Sequence, residues 1–239
     1  MTVQDFENLI LSELKTVLEN IIKETPSLPI AVRQGERQGD AISKFLENAF
    51  VTETQKHPYF KNSKASPTGK TKNPYDAETY FRYKDHNELI WIDFKAVNIA
   101  NEDSNPDSGT PDKIITLIQS GSFYLAYIFV FYQGSEAHLS FVQKEREFVK
   151  AYFLKDVSPT VRITPANQLQ VNYSQPPMYR TREAFIKFLA EKKKQSFERR
   201  LKKAQSDIEN LNKGVIYKTI TIDDLLKENE KQENSIKKL

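Results

Sequence analysis

The chain has 239 residues, of which 38% are hydrophobic and 28% are charged, and its mean hydropathy is -0.61. This length accommodates one large domain, or one domain with an appendage. The absence of cysteine excludes disulfides, cysteine-ligated zinc and thiol catalysis, and it is typical of a reducing compartment. No apolar run approaches the roughly 20 residues of a membrane span, and no signal peptide is visible, so we expect a cytoplasmic protein without membrane contact.

The net charge is only +3, but it is unevenly distributed along the chain. Residues 180–203 contain ten lysines and arginines against three glutamates, and residues 54–73 contain five lysines and no acidic residue. Basic segments on an otherwise balanced chain are typical of nucleic-acid binding. The alternative is a lysine-rich helix whose charges are simply solvated.

The first half of the chain predicts two helices, a loop and a hairpin. Apolar side chains recur at helical spacing over residues 4–24 and again over about 40–51. Residues 54–74 show little apolar periodicity and predict a long loop, which in compact domains is usually functional or disordered. Turn residues between two β-rich runs, about 76–83 and 88–98, predict a hairpin.

The second half predicts mainly strands, followed by one long helix. A nearly continuous apolar and aromatic run over residues 123–132 is typical of a buried strand. The other predicted elements are a polar loop at 101–112, a helix capped by Thr110 or Asp112 that runs to about 120, strands near 138–143, 148–154 and 168–173, a basic helix at 181–212 and a short strand at 215–222.

This order of elements predicts a central mixed β-sheet flanked by helices, an α/β fold that borders on α+β. No internal repeat and no second core are apparent. We therefore expect one domain over residues 1–212, with its core at about 36–155, and a C-terminal extension over 213–239.

The strand at 88–98 carries an aspartate and a lysine among apolar neighbours. Because side chains alternate along a strand, Asp93 and Lys95 project on one face together with Leu89 and Trp91. Burying an unpaired charge is costly, so these two side chains need partners. Asp76 lies seventeen residues before Asp93.

Two carboxylates and a lysine around one point suit a divalent cation and a phosphodiester. Carboxylates hold Mg²⁺, which activates water and neutralises phosphate charge, and a lysine side chain orients or deprotonates the water. The alternative is a structural ion pair between Asp93 and Lys95, with Asp76 unrelated to it.

Several segments resemble the PD-(D/E)XK nucleases, and specifically the blunt-cutting type II restriction endonucleases that include SwaI, HpaI and HincII. The family's usual Pro-Asp dipeptide is split here by Tyr75, which separates Pro74 from Asp76. The resemblance covers most of the chain and rests on residues 70–77 (KTKNPYDA), 90–96 (IWIDFKA), 103–110 (DSNPDSGT), 123–125 (FYL), 154–157 (LKDV) and 179–183 (YRTRE).

The resemblance implies a restriction-endonuclease-like core and a Mg²⁺-dependent homodimer that binds double-stranded DNA. It implies cleavage at an AT-rich palindrome of about eight base pairs, with blunt ends that carry 5′-phosphate and 3′-hydroxyl groups. Asp76, Asp93 and the carbonyl of Phe94 would bind the metal, and Lys95 would contact the attacking water.

A glutamate from the second helix completes some sites of this family. Glu36 and Glu47 are the candidates here, although a glutamate on a helix surface is usually just solvated.

Three segments are candidates for DNA contact, because amides and hydroxyls pair with base edges and basic groups pair with phosphate. The alternatives are polar surface connections, an edge strand followed by a helix cap at Thr181, and disorder. The candidate residues are Asn98, Asn101, Asn105, Ser108, Gly109 and Thr110 in the first segment, Gln170, Asn172, Tyr173, Gln175, Arg180 and Arg182 in the second, and Lys70 and Lys72 in the third.

Three other functions stay open at this point. The chain could be a non-catalytic, sequence-specific DNA-binding protein in which Asp93 and Lys95 form a buried ion pair. It could be another PD-(D/E)XK nuclease, one that acts in DNA repair. It could also be a helical interaction protein built around residues 4–24 and 181–212.

Overall fold

The computed structural model describes residues 1–28, 38–67, 74–100, 108–121, 123–134, 138–212, 226–227 and 230–231. The chain divides into two compact units, Met1–Lys192 and Lys193–Leu239. The candidate active site lies in the first unit. Among the described residues, no helix combines the length and the apolar character needed to cross a membrane.

The helices form where the sequence combines apolar periodicity with suitable ends. Thr2 caps the first helix through a capping box with Asp5, and Pro111 occupies the first turn of the third. The helices are α1 (Val3–Glu24), α2 (Gln38–Glu53), α3 (Pro111–Ser120) and α4 (Arg182–Asn212), with short 3-10 helices at Thr54–Lys56 and Leu154–Asp156.

The strands form one mixed sheet and a separate two-stranded ribbon. The strands are β1 (Ser27–Leu28), β2 (Phe60–Ala65), β3 (Ala77–Tyr83), β4 (His86–Asn98), β5 (Phe123–Gly134), β6 (Leu139–Phe141), β7 (Val149–Phe153), β8 (Arg162–Ile163) and β9 (Leu169–Gln170).

Within the described residues, the sheet order is β1-β6-β5-β4-β3-β2, and β7 also pairs with β5. β3 and β4 form an antiparallel hairpin, whereas β4 and β5 are parallel and are connected through α3. The remaining pairs of this sheet are antiparallel. The predicted α/β fold, with a mixed sheet flanked by helices, is confirmed.

Each face of the sheet has its own hydrophobic core. On one face, Ile90, Ile92 and Phe94 of β4 pack with buried side chains of α1 and α2. On the other face, Trp91 packs against a core formed by side chains of β5, α3, the 154–173 segment and the first turns of α4. β4 is therefore covered on both sides, as the apolar residues on both of its faces predict.

The main error of prediction is the long loop expected at 54–74. This segment contains a 3-10 helix and the edge strand β2, which pairs with β3. Asn62 has a positive φ of 56°, and the register shifts between Lys61 and Lys64, so the apolar alternation of a strand is interrupted. The sequence also does not predict β1 or β8. The strand predicted at 215–222 lies outside the described residues.

Candidate active site

Asp76 is fixed by the backbone of the neighbouring strand. Its amide donates to the carbonyl of Ile92 at 2.8 Å, and its carboxylate accepts a hydrogen bond from the amide of Phe94 at 2.8 Å. β3 begins only at Ala77, opposite Ile92, so the Phe94 amide lies beyond the strand ladder. The Asp76 carboxylate thus accepts the hydrogen bond that a backbone carbonyl would accept if the strand ladder continued.

Asp93 and Lys95 project from the same face of β4 and form an ion pair. The Lys95 ammonium lies 2.9 Å from the Asp93 carboxylate, and the two side chains are only 21% and 13% exposed. Asp93 is paired in register with Tyr127 of β5, and the Lys95 ammonium lies 5.9 Å from the centre of the Tyr127 ring. The sheet therefore brings together the three residues that the sequence singles out.

The two aspartates place two carboxylates beside a single ammonium group, so the site has an excess of negative charge when both are ionised. Burial raises the pKa of Asp76 to about 6, and the nearby Asp93 carboxylate contributes, whereas the Phe94 amide and Lys95 oppose the rise. Burial also raises the pKa of Asp93, against the opposing effect of Lys95. A divalent cation between the two carboxylates would supply the missing positive charge.

The residues present fit a Mg²⁺ ion. Mg²⁺ is usually bound through one or two carboxylates and keeps several water ligands. Asp76 and Asp93 provide two adjacent carboxylates, and in the described part of the chain no third acidic or histidine side chain joins them. The Phe94 carbonyl accepts a hydrogen bond from the Ser43 hydroxyl at 3.2 Å, which leaves it one lone pair for a further contact.

Two glutamates are candidates for completing this site, Glu36 and Glu47. Glu47 is buried on α2, and its carboxylate is paired with the Lys44 ammonium at 3.1 Å. Glu36 lies outside the described residues.

A cleft of about 280 Å³ opens in front of the aspartates and the lysine. Its far wall is formed by Ser108, Gly109 and Thr110, three of the residues that the sequence predicts to contact DNA. The cleft is lined by Pro74, Tyr75, Asp76, Asp93, Lys95, Ser108, Gly109, Thr110, Lys113, Ile114, Leu125 and Tyr127.

Backbone hydrogen bonds to β9 hold this far wall in place. The Ser108 amide donates to the carbonyl of Leu169 at 2.7 Å, and the Leu169 amide donates to the carbonyl of Gly109 at 2.8 Å. The Tyr127 hydroxyl donates to the Ser108 carbonyl at 3.2 Å. Gly109 has a φ of +82°, a conformation that favours glycine.

The Ser108 hydroxyl is the unexplained polar group of the cleft. Ser108 is 7% exposed, and its hydroxyl makes no hydrogen bond within the described part of the chain. Buried polar groups are rarely left without partners, and when they are, a catalytic or ligand-binding role is one explanation.

Lys113 lines the cleft from the first turn of α3 and is not among the residues predicted from the sequence. Thr110 is the N-cap of this helix, so the helix begins at the cleft. A helix N-terminus and a lysine together favour an anionic group such as phosphate. The signal in the sequence is the position of Lys113, directly after the predicted loop at 101–112.

The other described candidates for DNA contact lie away from the cleft lining and are partly engaged within the protein. The side-chain carbonyls of Asn98, Gln170 and Asn172 accept hydrogen bonds from the Ala100 amide, the Arg162 side chain and the Ser174 amide. Tyr173 is buried, whereas Gln175 is exposed.

The guanidinium groups of the two arginines bind backbone carbonyls. Arg180 is 6% exposed and donates to the carbonyls of Lys155, Val157 and Met178. Arg182 donates to the carbonyls of Ile118 and Gly121 at the end of α3, at 3.1 and 2.6 Å. A phosphate contact by either arginine would have to compete with these bonds.

Asn101, Asn105, Lys70 and Lys72 also appear among the predicted contacts, and they lie outside the described residues.

Comparison with known proteins gives one family. The profile of the SwaI-like family, described as SwaI restriction endonuclease, matches residues 2–211. No curated protein sequence matches the chain significantly.

Proposed function

Because the chain belongs to the SwaI-like restriction endonuclease family, we propose that it is a Mg²⁺-dependent type II enzyme whose active site is formed by Asp76, Asp93 and Lys95. The observation that carries this proposal is the convergence of two partly buried carboxylates and one ammonium group at the floor of a single cleft. The cleft belongs to the part of the chain that the family profile covers.

The carboxylates of Asp76 and Asp93 are the groups that would hold the metal, and the Phe94 carbonyl is a third candidate ligand. When bound, Mg²⁺ would supply an activated water and neutralise charge that builds on the phosphate. Lys95 lies beside Asp93, where its ammonium can orient the attacking water and stabilise the developing negative charge.

The reaction is hydrolysis of a phosphodiester. The water oxygen forms a bond to phosphorus, and the bond between phosphorus and the 3′-oxygen breaks. The water loses one proton, and a proton is delivered to the leaving oxygen, so the products are a 5′-phosphate and a 3′-hydroxyl.

The far wall of the cleft is suited to hold the DNA backbone beside these groups. The start of α3 and Lys113 favour an anion, and the hydroxyl of Ser108 is available as a donor. We therefore place Ser108, Gly109 and Thr110 next to the DNA, and propose that Asn98 and the 170–175 segment contact it further from the scissile bond.

We further propose a homodimer that cuts an AT-rich palindrome, of about eight base pairs, to give blunt ends. A two-fold symmetric dimer presents one active site to each strand of a palindrome. Neither the length of the site nor its base composition follows from the cleft, and both rest on the resemblance to SwaI.

The test is digestion of phage and plasmid DNA with Mg²⁺ and with a chelator. Discrete fragments only in the presence of Mg²⁺, with every fragment end at the same sequence, are the expected result. Sequencing of the ends gives the recognition site and distinguishes blunt from staggered cuts.

The 2.9 Å ion pair between Asp93 and Lys95 also favours a second candidate, a DNA-binding protein in which this pair is structural. Sequence-specific DNA binding without cleavage under any metal condition would establish that candidate instead.

A further inference from the structure

The second half of α4 exposes a regular stripe of apolar side chains. Phe197, Leu201, Ile208 and Leu211 are 50%, 61%, 57% and 44% exposed, and Ala204 lies between them. Their spacing alternates between four and three residues. At 3.6 residues per turn, the five side chains fall on one face of the helix, within about 40° of its centre line.

The charges on this part of α4 are asymmetric in two respects. Arg199, Lys202 and Lys203 project from the face opposite the apolar stripe. Along the helix, residues 193–203 carry six lysines and arginines and one glutamate, whereas residues 204–212 carry two acidic residues and no basic one.

We propose that this apolar stripe packs against the same stripe of a second copy of the chain, with the two helices antiparallel. The antiparallel arrangement places Phe197 beside Ile208 of the second copy, and Leu201 beside Ala204 of the second copy. In the two central layers of the pair, the large Leu201 side chain thereby meets the small Ala204 side chain. A contact of this kind is closed and two-fold symmetric.

Charge selects the antiparallel arrangement over the parallel one. In the antiparallel pair, the basic segment 193–203 lies along the acidic segment 204–212 of the second copy, and Arg200 comes next to Asp207 of the second copy on each side. In a parallel pair, the two basic segments would lie side by side, and Lys194 would face Lys194.

DNA is a less suitable occupant of the stripe itself, because these five side chains carry no charge and no hydrogen-bonding group for phosphate. The basic residues on the opposite face remain exposed when the stripes pair. Helix pairing and DNA contact by α4 are therefore compatible.

Cysteine crosslinking in the full-length protein tests the arrangement, since the natural chain contains no cysteine that would give background. A mixture of the Phe197→Cys and Ile208→Cys variants is oxidised, and each variant is oxidised alone. Residues 197 and 208 are about 16 Å apart along one helix, whereas a disulfide requires Cα atoms about 6 Å apart. The antiparallel pair predicts a heterologous disulfide dimer in the mixture and none with either variant alone.

The matched control is a mixture of the Arg199→Cys and Ser206→Cys variants, both on the outer face, which should remain uncrosslinked. Self-crosslinking of Phe197→Cys alone would overturn the antiparallel arrangement in favour of a parallel one. Absence of crosslinks in all mixtures would overturn the pairing. Phe197→Ala and Leu201→Ala variants that bind DNA more weakly but associate normally would instead assign the stripe to DNA. Because none of these measurements uses cleavage, they stand apart from the proposed nuclease activity.

Discussion

The Asp76 carboxylate accepts the amide hydrogen of Phe94 at 2.8 Å, and Phe94 lies directly between Asp93 and Lys95 in the sequence. The orientation of one proposed metal ligand is thus set by the backbone of the strand that carries the other. This hydrogen bond keeps the two carboxylates close in the absence of a cation, at the cost of repulsion between them.

The first prediction concerns the chemistry of β4. Asp93→Ala and Lys95→Ala should each reduce the rate of DNA cleavage by at least about 100-fold, since each removes a group that acts on the reacting phosphate. Cleavage is followed on a plasmid with one site, and DNA affinity is measured in parallel.

Asp85→Ala, in the exposed turn of the hairpin, and Lys187→Ala, on the exposed face of α4, are charge-matched controls that should cleave normally. Normal cleavage by Asp93→Ala and Lys95→Ala would remove the assignment of the active site. If both variants instead unfold readily, with a loss of about 3–5 kcal/mol, the ion pair is structural.

The second prediction concerns stability. The Asp76 carboxyl has a pKa of about 6 in the folded protein, compared with an ordinary value of 3.8, so the folded state holds its proton more tightly. The protonated Asp76 carboxyl therefore stabilises the folded state at low pH. This contribution to the free energy of unfolding is lost as the pH rises through about 6. Asp76→Asn keeps the acceptor for Phe94 and removes the charge, so it should stabilise the metal-free protein by up to about 3 kcal/mol at pH 8.

Urea denaturation in the presence of a chelator measures this effect. The gain should be nearly constant between about pH 8 and pH 7 and should shrink as the pH falls from about 6 towards 3.8, the interval between the folded and the ordinary pKa. A gain that does not depend on pH would show that the charge of Asp76 is not its cause. The same variant should be inactive, because an amide is a poor ligand for Mg²⁺.

The third prediction concerns pH and metal together. Protons compete with the cation for the carboxylates, so cleavage should fall as the pH drops below about 6, and additional Mg²⁺ should move the fall to lower pH. The measurement is the initial cleavage rate over a matrix of pH and Mg²⁺ concentration. An acid limb that stays in place at every Mg²⁺ concentration would contradict metal binding by these carboxylates.

The fourth prediction concerns Ser108. Its hydroxyl is buried and makes no hydrogen bond to any described residue. Ser108→Ala should therefore leave the melting temperature nearly unchanged while it slows cleavage by about 10-fold or more, the value of one hydrogen bond to a charged group. Ser108→Thr, which keeps a hydroxyl, should retain more activity than Ser108→Ala.

Ser158 is the matched control, since it is also buried but its hydroxyl is hydrogen-bonded to Thr160 at 3.0 Å. Ser158→Ala should lower stability and leave cleavage unchanged at low temperature. Equal cleavage by the Ser108→Ala variant and the natural protein would exclude Ser108 from the reaction.

The fifth prediction separates a phosphate contact from a structural cation. Lys113→Ala should weaken DNA binding and reduce the dependence of affinity on salt by about one counterion, because a phosphate contact is lost. Arg182→Ala should leave this salt dependence unchanged and lower stability by about 1–3 kcal/mol, because two carbonyls of α3 lose their donor. Titrations at several salt concentrations provide the comparison, and the opposite pattern would assign Arg182 to the DNA.

The sequence predicts the hairpin well because its local signals agree. Turn residues at Lys84 and Asp85 and the alternation along β4 define both the pairing and the face on which Asp93 and Lys95 lie. The three proposed catalytic residues lie within about twenty consecutive positions, and they come together as the predicted hairpin requires.

The rest of the cleft depends on contacts that no local pattern records. The parallel register that places Tyr127 opposite Asp93, and the hydrogen bonds between Leu169 and the 108–109 segment, join residues far apart in sequence. A polar segment also gives no sign of which donors find partners inside the protein. Arg180 thus looks available in the sequence and is buried in the structure.

The β3–β4 hairpin separates the proposed catalytic residues, in sequence, from the residues that face them across the cleft. The proposed catalytic groups lie on one short, contiguous piece of chain, whereas the opposite wall of the cleft is formed by residues 108–110 and the start of α3, which β9 holds in place. Substitutions, insertions and exchanges in those later segments can alter which DNA is accepted without disturbing the groups that cut it. We therefore expect that stepwise change in those segments can lead to a new target sequence while the proposed catalytic residues stay in place.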